Sequence, residues 1–207
     1  MIDFTLYGVV AYLLGSIPTA VWLGKAKYGL DVREHGSNNA GATNTFRVLG
    51  KKPGVVVLII DILKGLIAVL LPFFFLDFSW GSDTLIEIQL VCALLAVIGH
   101  VLPVFAGFNG GKGVATSLGV IIGVHPPAAG ICIGLFLIVF LSSNFVSLGA
   151  IVAAISFPIS VIYIYGATSP YLIVFSLVLS AAVAFVHRKN IGRLLNGTEN
   201  KMNLFNK

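Results

Sequence analysis

The chain has 207 residues, 57% of them hydrophobic and only 10% charged, with a formal net charge of +5. A soluble domain carries roughly 25% charged residues, so this composition cannot cover a water-facing surface and marks an integral membrane protein. A positive balance would ordinarily admit nucleic acid or anionic lipid as partners. Here the cations gather beside apolar stretches, which points to membrane-flanking loops and to no nucleic acid.

Met1-Ile2-Asp3 has no basic n-region and no Ala-x-Ala-like cleavage signal follows the first apolar run, so that run, 4–23, is predicted to be a retained span. A membrane-crossing helix needs about 20 apolar residues. Further spans are predicted at 55–75 and 85–103. The region 113–166 is apolar almost throughout, but His125-Pro126-Pro127 and Ser142-Ser143-Asn144 divide it into two short spans and a longer one over 148–165. The last span covers 170–186. The expected fold is all-α: one polytopic domain, 1–207, of about seven transmembrane helices, some of them short, with glycine-rich loops between. Five long spans with re-entrant pieces is the alternative.

Lys25, Lys27, Arg33, Arg47, Lys51 and Lys52 follow the first span, Lys112 the third, and Arg188, Lys189 and Arg193 the last. The opposite loops hold Asp77, Asp83 and Glu87 and no Lys or Arg. Seven spans place all three basic clusters on one side, which the positive-inside rule makes cytoplasmic, with the N-terminus outside and the C-terminus inside. Cys92 and Cys132 lie in apolar segments and read as small buried hydrophobes, not as a disulfide.

The polar groups fall into three clusters. In the first, Asp31 to Arg47, Gly36 and Gly41 permit unusual backbone angles. Ser37, Asn38, Asn39, Thr43 and Asn44 offer neutral hydrogen-bonding groups, and Arg33 and Arg47 offer planar forks suited to phosphate. A polar connecting loop with a helix N-cap at Ser37 or Asn38 accounts for the same residues. The second cluster is Gly107-Phe-Asn-Gly-Gly-Lys-Gly-Val-Ala-Thr116, preceded by His100. It is no nucleotide P-loop, because Ala106 and Gly113 stand where that motif requires Gly and Ser or Thr. Backbone amides at Gly110, Gly111 and Gly113, a helix start running through Thr116, and Lys112 still suit an anion. The third cluster runs from His187 to Glu199; if the helix continues, His187 and Asn190 share a face, and Asn196-Gly197 stops it.

Asp61 and Lys64, three residues apart in the second span, are set to neutralise one another, as an ion pair that is functional or structural. Ser147 begins the sixth span, and His125 belongs to an external turn. No His has an Asp five residues on, which excludes the His-x4-Asp signature of one large acyltransferase class, and no Gly-x-Ser-x-Gly elbow occurs, so a covalent serine mechanism has no support.

Together these clusters resemble the bacterial membrane glycerol-3-phosphate acyltransferases that use acyl phosphate as donor. The resemblance runs from Gly15-Ser-Ile-Pro18 to Glu199. It is carried by Gly36-Ser37, Asn39, Gly41-Ala-Thr-Asn44 and Arg47; by Gly99-His100 and Gly110-Gly-Lys-Gly-Val-Ala-Thr116; and by His187-Arg188, Asn190, Arg193, Gly197 and Glu199. Asn38 replaces a glycine usual in the family, and Asn144-Phe145 replaces an Arg-Tyr often found before Val-Ser-Leu. The resemblance implies acyl transfer to the 1-hydroxyl of sn-glycerol 3-phosphate, giving lysophosphatidic acid and inorganic phosphate, without metal or cofactor, at the cytoplasmic face of the bacterial inner membrane. In that setting Lys112 and its loop would bind glycerol 3-phosphate. Ser37, Asn39, Asn44 and Arg47 would orient phosphates, with Arg47 and Arg193 countering charge. Gly36, Asn38, Gly41, Thr43, His100, Gly110, Gly111, Gly113, Thr116 and Ser147 complete the expected binding set. His187 and Asn190 would position the hydroxyl or polarise the carbonyl, with either His187 or the donor phosphate taking the proton. A transporter is the competing class, but its polar site would sit near the midplane between repeated halves. A nonenzymatic scaffold leaves the glycine-lysine loop unexplained.

Overall fold

A computed structural model describes residues 4–75 and 83–202, which form helices and no strand. Met1-Ile2-Asp3 and Asp77 lie outside the described residues. The chain divides into two compact units, Met1–Val124 and His125–Lys207.

In the first unit the opening apolar run is two helices, α1 (Phe4–Gly15) and α2 (Thr19–Tyr28). Pro18 explains the break: it has no N–H to give the helix, and it drives Ile17 out of helical geometry. The helix α3 (Ala42–Leu49) is short; α4 (Lys51–Phe75), α5 (Asp83–Val101) and α6 (Val114–Val124) follow. Helix α1 packs on α5, and α4 on α6. The second contact depends on two glycines, because a Cβ on Gly65 would strike the Thr116 carbonyl and one on Gly119 the Ile62 carbonyl. Small residues draw membrane helices to backbone contact where no hydrophobic force separates helix from lipid. Ala11, Ala68, Ile88, Cys92 and Ala96 form a buried core across α1, α4 and α5. The outward stripe of α4, Val55, Val56, Ile59, Ile60, Leu63 and Ile67, stays exposed, as a lipid-facing surface should.

The second unit holds α7 (Pro126–Ser143), α8 (Val146–Ile159), α9 (Pro170–Val186) and α10 (Arg188–Leu195). Helix α8 packs on α7 and α9; Phe157 meets Phe175 edge-on, ring centroids 6.4 Å apart. Beyond Pro158, which can donate no backbone bond, α8 widens into a π-helical turn over Ser160–Ile164.

All seven predicted spans are helical, but their lengths differ from expectation. Among the described residues, Phe4–Tyr28, Lys51–Phe74, Asp83–Ala106, Pro126–Ser143 and Val146–Ile164 are long and apolar enough to cross a membrane. Pro170–Val186 qualifies together with α10, from which it bends by 60°, while Val114–Val124 has only 11 residues. The fifth span, expected to be short, is an 18-residue helix. It ends where the sequence placed the division, at Ser143 with Asn144 as a left-handed cap, and the hydroxyls of Ser142 and Ser143 donate back to Ile138 at 2.8 Å and Val139 at 2.6 Å in its last turn. His125 starts it, its Nδ1 accepting the Ala128 N–H at 3.2 Å. Cys92 and Cys132 are buried free thiols, as expected.

Candidate active site

In the first unit, the Asp31–Arg47 segment is organised by two side chains whose expected task was different. Arg33 carries a fork suited to phosphate, yet its Nε and Nη2 donate to Asp31 at 3.0 and 2.7 Å. Its Nη1 reaches the carbonyls of Ala106 at 2.8 Å and Asn109 at 3.3 Å. Arg33 therefore clamps the glycine loop in place and is not available to a ligand. The Arg33 hydrogen bonds hold the Asp31 carboxyl well below the usual carboxylate range against the opposing effect of burial, and Lys25, 3.2 Å away, helps. A hydrogen bond to a charged group is worth about 1.5–3 kcal/mol. Arg33→Ala is thus expected to speed amide hydrogen exchange at residues 106–110 and lower the melting temperature; exchange unchanged at those amides would rule out the clamp.

Asn44 was expected to orient phosphate. It is 1% exposed. Its Oδ1 accepts the Ser37 N–H at 2.8 Å, and its Nδ2 donates to Val32 at 2.7 Å and His35 at 3.0 Å. It ties the turn that presents Ser37, whose side chain is exposed. Gly36 sits at φ 62°, against Asn44. Asn38, at φ 56°, donates to the Arg33 carbonyl at 2.9 Å. The N-cap expected at Ser37 or Asn38 is instead Gly41, because the Asn44 ties hold the chain in a turn until residue 42. Arg47 is exposed on the last turn of α3, and Asn39, Gly41 and Thr43 are half-buried along the approach to it.

The glycine-lysine loop doubles back on the end of α5. The N–H of Gly110 donates to Val101 at 3.2 Å, and that of Gly111 to His100 at 3.1 Å. These two amides, expected to face an anion, are occupied by α5. A Cβ on Gly111 would collide with the His100 imidazole. Gly113, at φ 78°, turns the chain into α6, whose first intrahelical amide bond is Ser117 N–H to Gly113 at 2.7 Å. The amides of 114–116 precede it and have no carbonyl one turn earlier. The anion-binding capacity thus moves one turn on, to the start of α6 beside half-buried Lys112. The Thr116 side chain itself is fully buried.

Behind this loop lies a buried ionic group. Asp61 accepts from Lys64 at 2.9 Å and from the Thr19 hydroxyl at 3.2 Å, while Lys64 also donates to the Ile17 carbonyl at 2.8 Å. His100 Nδ1 stands 3.7 Å from Asp61. The ion pair was legible in the sequence. The parts of Thr19 and His100 in it were not, although an intramembrane charge pair opposite a proline break in α1–α2 was the available signal.

In the second unit α9 does not continue straight through the third cluster. It ends at His187, and α10 sets off at 60°. His187 is 3% exposed, and its Nδ1 lies 2.8 Å from the Val183 carbonyl. A carbonyl can only accept, so Nδ1 carries a proton, and in the neutral ring the lone pair is on Nε2. The Glu199 carboxylate accepts from Asn190 Nδ2 at 2.7 Å, from the Ser147 hydroxyl at 2.8 Å and from Arg193 Nε at 2.6 Å. Glu199, in the sequence only the end of the third cluster, gathers three candidate site residues from α8 and α10 onto one carboxylate. Burial pushes its pKa up, but the hydrogen bonds from Asn190, Arg193 and Ser147 outweigh that and hold it below its ordinary value.

The profile of the family described as glycerol-3-phosphate acyltransferase matches residues 5–197. The glycerol-3-phosphate acyltransferase of Chlorobaculum tepidum is 42% identical over 226 aligned positions, covering 98% of this chain and 97% of that protein. The protein of the same name from Salinibacter ruber is 41% identical, covering 99% and 95%. The crystal structure of PlsY, an integral membrane glycerol 3-phosphate acyltransferase, in its glycerol 3-phosphate form is similar with a TM-score of 0.86 and 39% identity, over 98% of this chain and 99% of that one. Its lysophosphatidic acid form gives 0.81 and 38%, over 97% and 95%.

Proposed function

Because the chain belongs to the glycerol-3-phosphate acyltransferase family, we propose that its acyl donor is a long-chain acyl phosphate and that its second product is inorganic phosphate. The chain is an integral membrane acyltransferase of phospholipid synthesis. The finer reading has sn-glycerol 3-phosphate attack through its 1-hydroxyl. The hydroxyl oxygen bonds to the acyl carbon, the bond from that carbon to the phosphate oxygen breaks, and lysophosphatidic acid and phosphate leave.

The observation that supports the acceptor side of this reading is the Lys112 loop with the first turn of α6, a cation beside amides that suit a phosphate dianion. An acyl phosphate is a mixed anhydride with a good leaving group, so neither a covalent nucleophile nor a metal is chemically required. Stabilising charge on the carbonyl oxygen and the departing phosphate supplies most of the catalysis, and holding hydroxyl near carbonyl much of the rest. Lys112 takes the acceptor phosphate. Exposed Ser37 and Arg47, with Asn39 and Thr43, contact phosphate, while Gly36, Asn38, Gly41 and Asn44 fix the turn that presents them. Gly110, Gly111, Gly113 and Thr116 shape the loop and helix start. Asn190, Ser147 and Arg193, held by Glu199, serve the reacting groups. His187 Nε2 is the proton acceptor, with the donor phosphate as the competing one. The whole of 1–207 acts as one catalytic domain in the bacterial inner membrane, with its basic clusters, and so its active site, on the cytoplasmic side.

The test is phosphate release by the purified protein in lipid, given palmitoyl phosphate with and without glycerol 3-phosphate. Release that requires the acceptor and matches lysophosphatidic acid formed is expected. Turnover with a different acyl donor and none with palmitoyl phosphate would overturn the donor assignment.

A further inference from the structure

We infer that the buried Asp61–Lys64 pair of α4, acting through His100, positions the Gly110–Lys112 loop for the acceptor phosphate. The inference rests on that loop being the glycerol 3-phosphate site.

Asp61, Lys64 and His100 are 1%, 4% and 6% exposed. Burying an ion costs several kcal/mol even after relaxation, and well-packed apolar residues often replace a buried pair without loss of stability. Helix α4 therefore needs no such pair to sit in lipid, and the remaining partners of these side chains indicate what the pair does.

Each partner leads toward the loop. Lys64 is fixed by the Ile17 carbonyl at the break between α1 and α2, and Asp61 by Lys64 and Thr19. Asp61 then faces His100 Nδ1 at 3.7 Å, beyond direct hydrogen-bond reach. His100 Nδ1 is buried and has no direct hydrogen-bond partner among the described residues. Thr19, Asp61, Lys64, His100, Gly110 and Gly111 line a cavity of about 10 Å³, close to the room one bridging water requires. The other side of the same imidazole lies against Gly111, where a Cβ does not fit, and the His100 carbonyl holds the Gly111 amide at 3.1 Å. The orientation of one ring thus sets the height of Gly110 and Gly111 above α5. Lys112 and the first turn of α6 follow directly in sequence.

Asp61 and Lys64 are accordingly positioning residues that touch no substrate. The experiment compares wild type, Lys112→Ala and the double variant Asp61→Leu/Lys64→Met, each purified in lipid, for the KM of glycerol 3-phosphate, the KM of palmitoyl phosphate and the thermal midpoint. The double variant should keep its midpoint and its donor KM while the acceptor KM rises about tenfold, the signature of lost acceptor binding. A wild-type acceptor KM in a stable double variant would overturn the inference. If the double variant does not fold, Thr19→Val decides. It keeps both charges and should raise the acceptor KM about threefold, with Thr19→Ser restoring it; a wild-type value in Thr19→Val overturns the inference equally. Lys112→Ala separates the two levels of failure. Should its acceptor KM stay at the wild-type value, the loop is not the acceptor site; should only Lys112→Ala raise it, the loop assignment stands and the positioning role does not.

Discussion

His187→Ala is expected to lower kcat by about 10²–10⁴-fold, the usual worth of a positioned acid or base, while the protein accumulates in the membrane near wild-type level. The ring is buried where α9 ends, so its truncation costs some packing, and membrane abundance is measured beside kcat. Its Nδ1 bond to Val183 selects the neutral tautomer whose lone pair is on Nε2. His187→Asn sharpens the test, because an amide can still donate to the Val183 carbonyl but offers no basic nitrogen. If His187 takes the proton, both variants fall to the same level. If it only orients a substrate and the donor phosphate takes the proton, Asn should recover much of the activity. Acceptor-dependent phosphate release under saturating substrates distinguishes these cases, and full activity in purified His187→Ala would remove the residue from the mechanism.

Glu199→Ala is expected to be the most destabilising single change in the second unit. The carboxylate side chain is 4% exposed and accepts from Ser147, Asn190 and Arg193. Its loss leaves those donors without their shared acceptor, on the order of 3 kcal/mol of local stability. Limited proteolysis between 195 and 202 should quicken, and kcat should fall because Asn190 loses its anchor. Wild-type proteolysis rates would contradict the organising role. The same carboxylate predicts a pH effect. Its folded-state pKa is depressed below its ordinary value, so its stabilisation is complete above the unfolded value and is lost as pH falls through the folded one. Asp31, depressed in the same direction by Arg33, adds to it. Stability should therefore be flat in these two groups down to the ordinary carboxylate range and decline only below it; a decline from these groups beginning near neutrality would contradict the sign.

Much of this was legible in the sequence, and what escaped it has a common cause. Apolar length located the long helices, though not the short polar α3 and α10 that carry Arg47 and Asn190, and the Asp61–Lys64 spacing gave the ion pair, because both signals are local. Arg33 was misjudged because its acceptors, Ala106 and Asn109, lie 73 and 76 residues away. Asn44 looked like a ligand because an asparagine in a polar loop carries no mark of being turned inward. The breaks at His125 and Asn144 were legible because proline and a left-handed asparagine act locally, although the 18 residues between them make a longer helix than expected. The amides of Gly110 and Gly111 were assigned to an anion because composition shows that a backbone is accessible but not which carbonyl already holds it.

The shortness of α6 bears on the surrounding bilayer. Eleven residues rise only about 16 Å, roughly half the thickness of a hydrocarbon core. A segment of that reach cannot bridge an undeformed membrane, so lipid beside it must thin or polar chain and water must descend to meet its ends. The end that begins at Gly113 carries Lys112 next to it. On the proposed function, hydrophobic mismatch there would give a doubly charged, water-soluble acceptor and the carbonyl of a chain anchored in lipid a common depth at which to meet.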